Sequence, residues 1–415
     1  MKILKSTLIF VIAVATFSFS QSSSTYTRYG IGDLNYTYSA RSLGLGKTGT
    51  ALQNQDFVEV LNPSSWSALK FTRVEFSLVL NGVQLSDNKL SKFYTDAEFK
   101  GFTFAFPISE KYGIGFASGL IPYSRISYKV VESKQAVATY SSDYTATYEG
   151  NGGLSRLFMG SSYITPIDWV VGISFEYYFG KQTYSSLLEF VNPSHLPAEF
   201  ELDYRSTGFG TTLGVLSENL SGLFNSEAIS NLRIGVSVNL ISELNTDTSL
   251  TINPKTVADT ITSGSTKTKI PIRVASGITL QLDEEYNFNL DYIYQPWSDY
   301  TVGGVHSEFL RDVHRFGLGF EYLPKRKPGS TKWEQIIWRA GLSYELTQYV
   351  IYGHDITQYS AFAGLSFPLG VGNSFDFGFQ YSLRGTTESN LIKENFFRIN
   401  VGISFGELWF LRVER

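Results

Sequence analysis

Reactive side chains are few and scattered in this sequence. It holds four His, at positions 195, 306, 314 and 354, and no Cys, which removes thiolate metal sites, catalytic thiols and a disulfide framework. No carboxylate or nucleophile stands at a recognisable spacing from any of the four; His314 begins an apolar run and His354 sits in a polar stretch beside Asp355. A Ser–His pair assembles in space and not along the chain, but a hydrolase or acyltransferase has little here to be built from. The expectation is a non-enzyme with neither a metal nor an organic cofactor. Gly44-Leu45-Gly46-Lys47-Thr48 superficially resembles a phosphate loop, yet one residue separates its glycines where a P-loop has four between its outer glycines. A net charge of −4 offers no basic field for nucleic acid.

Composition points to a membrane. Of 415 residues 43% are hydrophobic, 15% aromatic and only 17% charged, below the roughly 25% charge of soluble domains. Only one run approaches the length of a membrane helix, residues 8–17, and it follows Lys2 and Lys5 and ends in Ser18-Phe19-Ser20. That is the anatomy of a cleaved signal peptide, residues 1–20, which sends the mature chain out of the cytoplasm.

From residue 72 to the end the pattern has period two. Phe397, Ile399, Val401, Ile403 and Phe405 alternate with Arg398, Asn400, Gly402 and Ser404; Leu232, Ile234, Val236 and Val238 alternate with Arg233, Gly235 and Ser237. One face cannot enter water and the other need not leave it. Such segments number about fourteen, commonly nine or more residues long, which is enough for a tilted strand to cross lipid. The fold class is therefore all-β: a transmembrane antiparallel β-barrel of about fourteen strands in the outer membrane of a double-membraned bacterium, residues 71–415, surrounded by membrane lipids. Short connections, as at 107–111 and 165–168, are expected at the periplasmic end, and longer ones, as at 245–266 and 295–312, outside. Residues 349–352 (Tyr-Val-Ile-Tyr) read as part of an outer loop, either an apolar patch for a partner or the mouth of an entry site for hydrophobic molecules.

Residues 21–70 do not alternate. A Gly-rich, partly apolar segment of that length at the head of a barrel is expected to fold into the bore as a hatch. The wall residues that should point inward carry six Arg (73, 233, 273, 315, 339, 398) against six acids (Glu75, Glu176, Asp291, Glu321, Glu345, Asp376), whereas a pore selecting by charge would show a ring of one sign. Val79, Val170, Ile293 and Phe362 also fall on inward positions, where a water-filled channel has polar side chains. With Arg339 and Arg398 they are candidate linings of a site for a hydrophobic small molecule; packing against the hatch accounts for the four apolar ones equally well. Gly119 and Pro122 interrupt an otherwise continuous strand, 112–130, and Pro cannot donate its ladder bond, so either a gap in the wall or a curving bulge is expected there.

These segments resemble one known family. Residues 40–52, beginning Ala40-Arg41-Ser42-Leu43-Gly44, and residues 60–69, with Asn62-Pro63-Ser64 followed by Ser65-Trp66, look like the N-terminal hatch of the long-chain fatty acid outer-membrane transporters (FadL type), whose motif is Asn-Pro-Ala. Ser64 stands where that family has Ala. Gly119-Leu120-Ile121-Pro122-Tyr123 resembles the break in its third strand, and Phe316-Gly317-Leu318-Gly319 with Trp338-Arg339-Ala340-Gly341 resembles two later strands. The resemblance implies fourteen strands, a hatch in the lumen, a sideways exit at the third-strand break, and a cargo of fatty acids or aromatic hydrocarbons. It also leaves open a second role, since some relatives are structural or shuttle partners in protein secretion or outer-membrane assembly.

Overall fold

The computed structural model describes residues 24–134, 143–192, 194–224, 226–252, 259–325, 331–370 and 372–407; the signal peptide read at 1–20 lies outside them. The wall strands are β1 (Thr72–Ser86), β2 (Ser91–Ser109), β3 (Ile114–Pro122 continued by Ser124–Lys134), β4 (Tyr144–Ile164), β5 (Val170–Phe190), β6 (Ala198–Leu216) and β7 (Ile229–Ile241 continued by Leu244–Ile252). They go on through β8 (Asp259–Lys269 and Arg273–Leu282), β9 (Tyr286–Gln295 and Thr301–Val302), β10 (Val305–His306 and Val313–Tyr322), β11 (Ile337–Ile351), β12 (His354–Pro368), β13 (Ser374–Arg384) and β14 (Lys393–Glu407). Neighbours are antiparallel, and β14 pairs with β1 through Val74↔Phe405, Phe76↔Ile403 and Leu78↔Val401, closing the ring at fourteen strands.

The alternation read from the sequence sets the two faces. On β1, Phe76 and Leu78 are exposed while Ser77 and Val79, alternating with them, are buried; on β13, Phe379 and Tyr381 are exposed while Gln380 and Ser382 are buried. An exposed apolar belt around a buried polar interior is the inverse of a soluble protein, and it is stable only where lipid covers the belt. Aromatic rings in the belt touch across the ladders, as Phe76 with Phe102 and Phe288 with Phe320.

The expected split between short inner turns and long outer loops is only partly met. β4 and β5 are 21 residues each, far beyond the 9–11 that cross lipid. The polar outer stretches continue the wall as strands because their backbone N–H and C=O groups still pair across the ladder, whatever the polarity of the side chains. Thus 245–266, read as a loop, falls largely within two strands, Leu244–Ile252 and Asp259–Lys269, that pair with each other. The patch at 349–352 is likewise corrected. Tyr349 and Ile351 are buried, and the Tyr349 hydroxyl donates to Asp33 Oδ1 at 3.0 Å, so Tyr352 alone is exposed.

Residues 24–70 make their contacts on inward faces on opposite sides of the ring. Helix α1 (Ala40–Gly44), N-capped by Ser39, packs on β11–β14, and the 3-10 turn Pro63–Ala68 packs on β3–β6. Their approach to the wall is close enough to need glycine on both sides. A Cβ on Gly44 would lie 2.8 Å from the Gly364 Cα, and one on Gly341 would lie 2.4 Å from the Gly46 nitrogen. Gly364→Val is expected to lower stability by about 1–3 kcal/mol through overpacking, whereas Ala361→Val on the lipid face of the same strand should be neutral. Urea unfolding of the two variants in detergent checks this.

Candidate functional site

Pro122 lacks the N–H that would continue the ladder, and Tyr123 after it turns its ring into the bore, 2% exposed. The two sides of β3 respond differently. Toward β4 the pairing passes from Pro122↔Ser155 to Ile126↔Gly152, three residues against two. This is a bulge, held by Tyr123 N–H donating to Leu154 O at 2.8 Å. Toward β2 the ladder runs from Ser109↔Ile114 to Phe102↔Leu120 and stops. Above that level residues 91–101 of β2 pair with β1 alone. The wall therefore carries an unbonded seam between β2 and β3, beginning beside Gly119 and Pro122. Gly119 is itself paired, with Thr103 on one side and Phe158 on the other. Its glycine identity answers to packing, since a Cβ there would lie 2.6 Å from the Phe102 carbonyl oxygen.

The N-terminal segment takes the vacant edge of β3. Asp33–Leu34 pairs with Arg125 and Ser124, and Asn35 N–H donates to Tyr123 O at 2.9 Å. Side chains alone span the seam. Arg125 donates to Glu98 Oε2 and to Asp96 Oδ2 of β2, both at 2.6 Å, and Lys100 Nζ reaches Glu98 Oε1 at 3.2 Å and Asn35 Oδ1 at 2.7 Å. Below the break the outward neighbours include Leu120, Leu157 and Met159; above it Phe93 and Phe99 of β2 and Val131 of β3 are exposed beside the ion pair Lys129–Glu149 at 2.6 Å. The seam thus has exposed apolar side chains on both lips.

Two cavities flank residues 27–36. The outer one, about 280 Å³, lies between Arg28, Gly30 and Ile31 and the inner faces of β4–β9, lined by Tyr184, Tyr204, Tyr300, Leu154, Leu202 and Val302. The inner one, about 40 Å³, is lined by charge, including Asp33, Lys47, Glu98, Lys100, Arg125, Glu345, Arg384 and Arg398. Segment 27–36 stands between a tyrosine-rich chamber and a charged hole that borders the seam.

Buried hydrogen bonds tie the segment down. Asn62 caps the 3-10 turn, its Oδ1 accepting from Ser64 N at 3.1 Å and Ser64 Oγ at 2.6 Å, while its Nδ2 donates to Thr50 O at 2.7 Å and to Val215 O of β6 at 3.3 Å. Pro63 occupies the first turn position, where its missing N–H costs nothing. The hydroxyl of Ser64 makes a bond that Ala cannot. Asp291 of β9 accepts from the backbone N–H groups of Gly49 and Thr50 at 2.8 and 2.9 Å. Glu321 of β10 accepts from Arg41 Nε and Nη2, both at 3.2 Å, and from Arg339 Nε at 2.7 Å.

Glu59 lies within the segment and is 4% exposed. Burial pushes its carboxyl up to about 7, opposed by Arg41 and by hydrogen bonds from Ser42. Because the folded chain holds this proton more tightly than the unfolded chain, the contribution is fully present below the ordinary carboxyl pKa and is lost as pH rises through about 7. Glu59→Gln is expected to flatten the stability profile between those limits and to raise the thermal midpoint at pH 8. An unchanged profile would contradict this.

The residues singled out from the sequence fall in separate places. Val170 packs with Ala51 and Leu216, Ile293 with Tyr36 and Leu61, and Phe362 lies under Lys47, whose Nζ is 5.9 Å from the ring centroid. Val79 is buried in the same bore. None of the four lines either cavity, and Arg339 is engaged with Glu321; Arg398 lines the inner cavity. Sequence reading missed Arg125, Asp96, Glu98 and the Asp33–Leu34 strand. Its available signal was the inward series Asp96, Glu98, Lys100, three charges at period two, which is excessive for one strand unless something charged faces it.

A family model described as BamG matches residues 1–414. No curated protein matches the sequence. Among solved structures, the toluene transporter TbuX of Ralstonia pickettii is similar with TM-score 0.59 at 15% identity, over 90% of this chain and 99% of that one. The toluene transporter TodX of P. putida gives 0.59 at 14%, over 92% and 100%. A FadL homologue of Pseudomonas aeruginosa gives 0.60 at 10%, over 90% and 99%. At these identities the likeness is one of fold.

Proposed function

The chain belongs to the BamG family, and from its barrel we propose that it admits small hydrophobic molecules across the outer membrane. In this reading residues 21–70 are the hatch, the 280 Å³ chamber is the entry site, and the β2–β3 seam is the lateral exit into lipid. The observation that carries it is the interrupted ladder. A closed barrel gains a backbone bond for every pair it makes, so a wall that leaves 91–101 unpaired on one side, bridged only by Arg125, is built to part there. The chamber is near the lower end of small-ligand pockets, roughly 300–1,000 Å³, which suits one aromatic ring or a short chain better than an extended acyl chain. That the same fold serves toluene transporters supports the reading.

The test is uptake of labelled toluene and of a labelled long-chain fatty acid by cells with and without the protein. Equal uptake of both would sink the proposal. A second reading, a non-transporting partner in secretion or outer-membrane assembly, is favoured by Leu223, Phe224 and Trp333, which are 76%, 55% and 77% exposed on the two long connections at the end opposite the seam. Under that reading Trp333→Ser with Leu223→Ser would abolish co-purification of a partner and leave uptake untouched.

A further inference from the structure

The inner cavity holds a surplus of donors. Most of the charges around it are matched: Arg125 with Asp96 and Glu98, Lys100 with Glu98 at 3.2 Å, Arg384 with Asp33 at 2.8 Å and Glu394 at 3.5 Å, and Arg315 with Glu345 at 3.7 Å. Lys47 and Arg398 are not. Among the described residues neither has a carboxylate within 4.0 Å, and their recorded partners are rings: Phe362, 5.9 Å from Lys47 Nζ, and Phe396, 4.8 Å from the Arg398 guanidinium carbon. A third donor, the buried Nδ2 of Asn35, has no hydrogen-bond partner, and Asn35 lines the same cavity.

Two half-buried cations and a buried amide N–H without acceptors, around one small cavity, are unfavourable to leave unpaired. We propose that this cavity is an anion site, taking a single oxyanion of the carboxylate or phosphate class between Lys47, Arg398 and the Asn35 amide. The volume, about 40 Å³, admits such a group and little more, since one water needs roughly 10–15 Å³ on this measure. Specificity follows from geometry: Arg398 presents a planar fork and Lys47 a point charge, while the carboxylates of Asp33, Glu98 and Glu345 on the cavity wall are already bound to Arg384, to Lys100 and Arg125, and to Arg315. Burial, with repulsion from Arg398 and Arg315, depresses the Lys47 ammonium well below its ordinary range, and an anion beside it relieves both. Because Glu98 and Arg125 line the cavity and their ion pair also bridges the seam, the anion arrives either as a free ion from the bore or as the headgroup of an amphiphile whose tail lies in the seam. The site stands whether or not toluene or fatty acids are transported.

The experiment is calorimetric titration of the full-length protein in an uncharged detergent with inorganic phosphate and with dodecyl phosphate, alongside Lys47→Gln, Arg398→Gln and Arg398→Lys. Both Gln variants should lose tenfold or more in affinity for whichever phosphate binds, and Arg398→Lys, which keeps the charge but not the fork, should lose less than Arg398→Gln. Circular dichroism establishes that each variant keeps its barrel. Comparable binding of the two phosphates identifies a free-ion site; dodecyl phosphate binding a hundredfold tighter identifies a headgroup site. The proposal is overturned if folded wild-type protein binds neither, or if the Gln variants bind as wild type does.

Discussion

Replacing Glu321 by Ala is expected to destabilise the barrel more than any other single change considered, by about 3–5 kcal/mol, the usual cost of stripping one partner from a buried ion pair. The carboxylate is 0% exposed and lies between two guanidinium groups, Arg41 from α1 and Arg339 from β11, with Asn287 Nδ2 donating at 3.2 Å. Without it two buried cations face one another across the junction of segment and wall. Arg339 retains a hydrogen bond to Ser366 Oγ at 2.5 Å and Asp376 at 4.0 Å, and Arg41 retains the Phe57 ring at 4.4 Å. Adding Arg41→Met to Glu321→Ala should recover part of the loss, because one uncompensated charge is then removed. Removing the exposed Lys129–Glu149 pair should cost about 0–1 kcal/mol. Denaturant unfolding of the four proteins decides the matter: a Glu321→Ala midpoint no lower than that of the surface-pair variant would contradict the account.

Locking the seam is expected to stop uptake. The chain has no Cys, so Asp96→Cys with Arg125→Cys introduces the sole thiols, one on each lip. A bis-methanethiosulfonate linker joining them should lower uptake of a labelled hydrocarbon by about tenfold or more, as expected when a gating motion is blocked. Reductant should restore it, and the uncrosslinked double variant should transport at least as well as wild type, having lost the ionic bridge. If linked protein transports normally the cargo does not leave between β2 and β3. Each arm uses one folded protein, so a fault in folding cannot mimic the result.

Several features were legible without coordinates, for identifiable reasons. Each wall strand announces itself because lipid on one side and a polar bore on the other impose period two over nine or more residues; Phe397 to Phe405 on β14 is the plainest case. That the ladder of β3 is irregular around Pro122 is legible in the sequence, because proline's missing donor is a local fact. Which side of β3 would open was not local. Toward β4 the chain absorbs the fault as a bulge, and toward β2 it does not, since there Asp33–Leu34, some ninety residues earlier, takes the edge. Tyr349 read as a loop aromatic because its neighbours are apolar; its burial depends on Asp33 and Arg384, which arrive from elsewhere.

The sequence by itself determined the architecture and the number of strands, since both follow from periodicity. Only the tertiary structure decided which charges neutralise one another. The bore residues balance in number, but pairing depends on distance, and it is distance that engages Arg339 and Arg125 while Lys47 and Arg398 line the inner cavity with no carboxylate within 4.0 Å among the described residues.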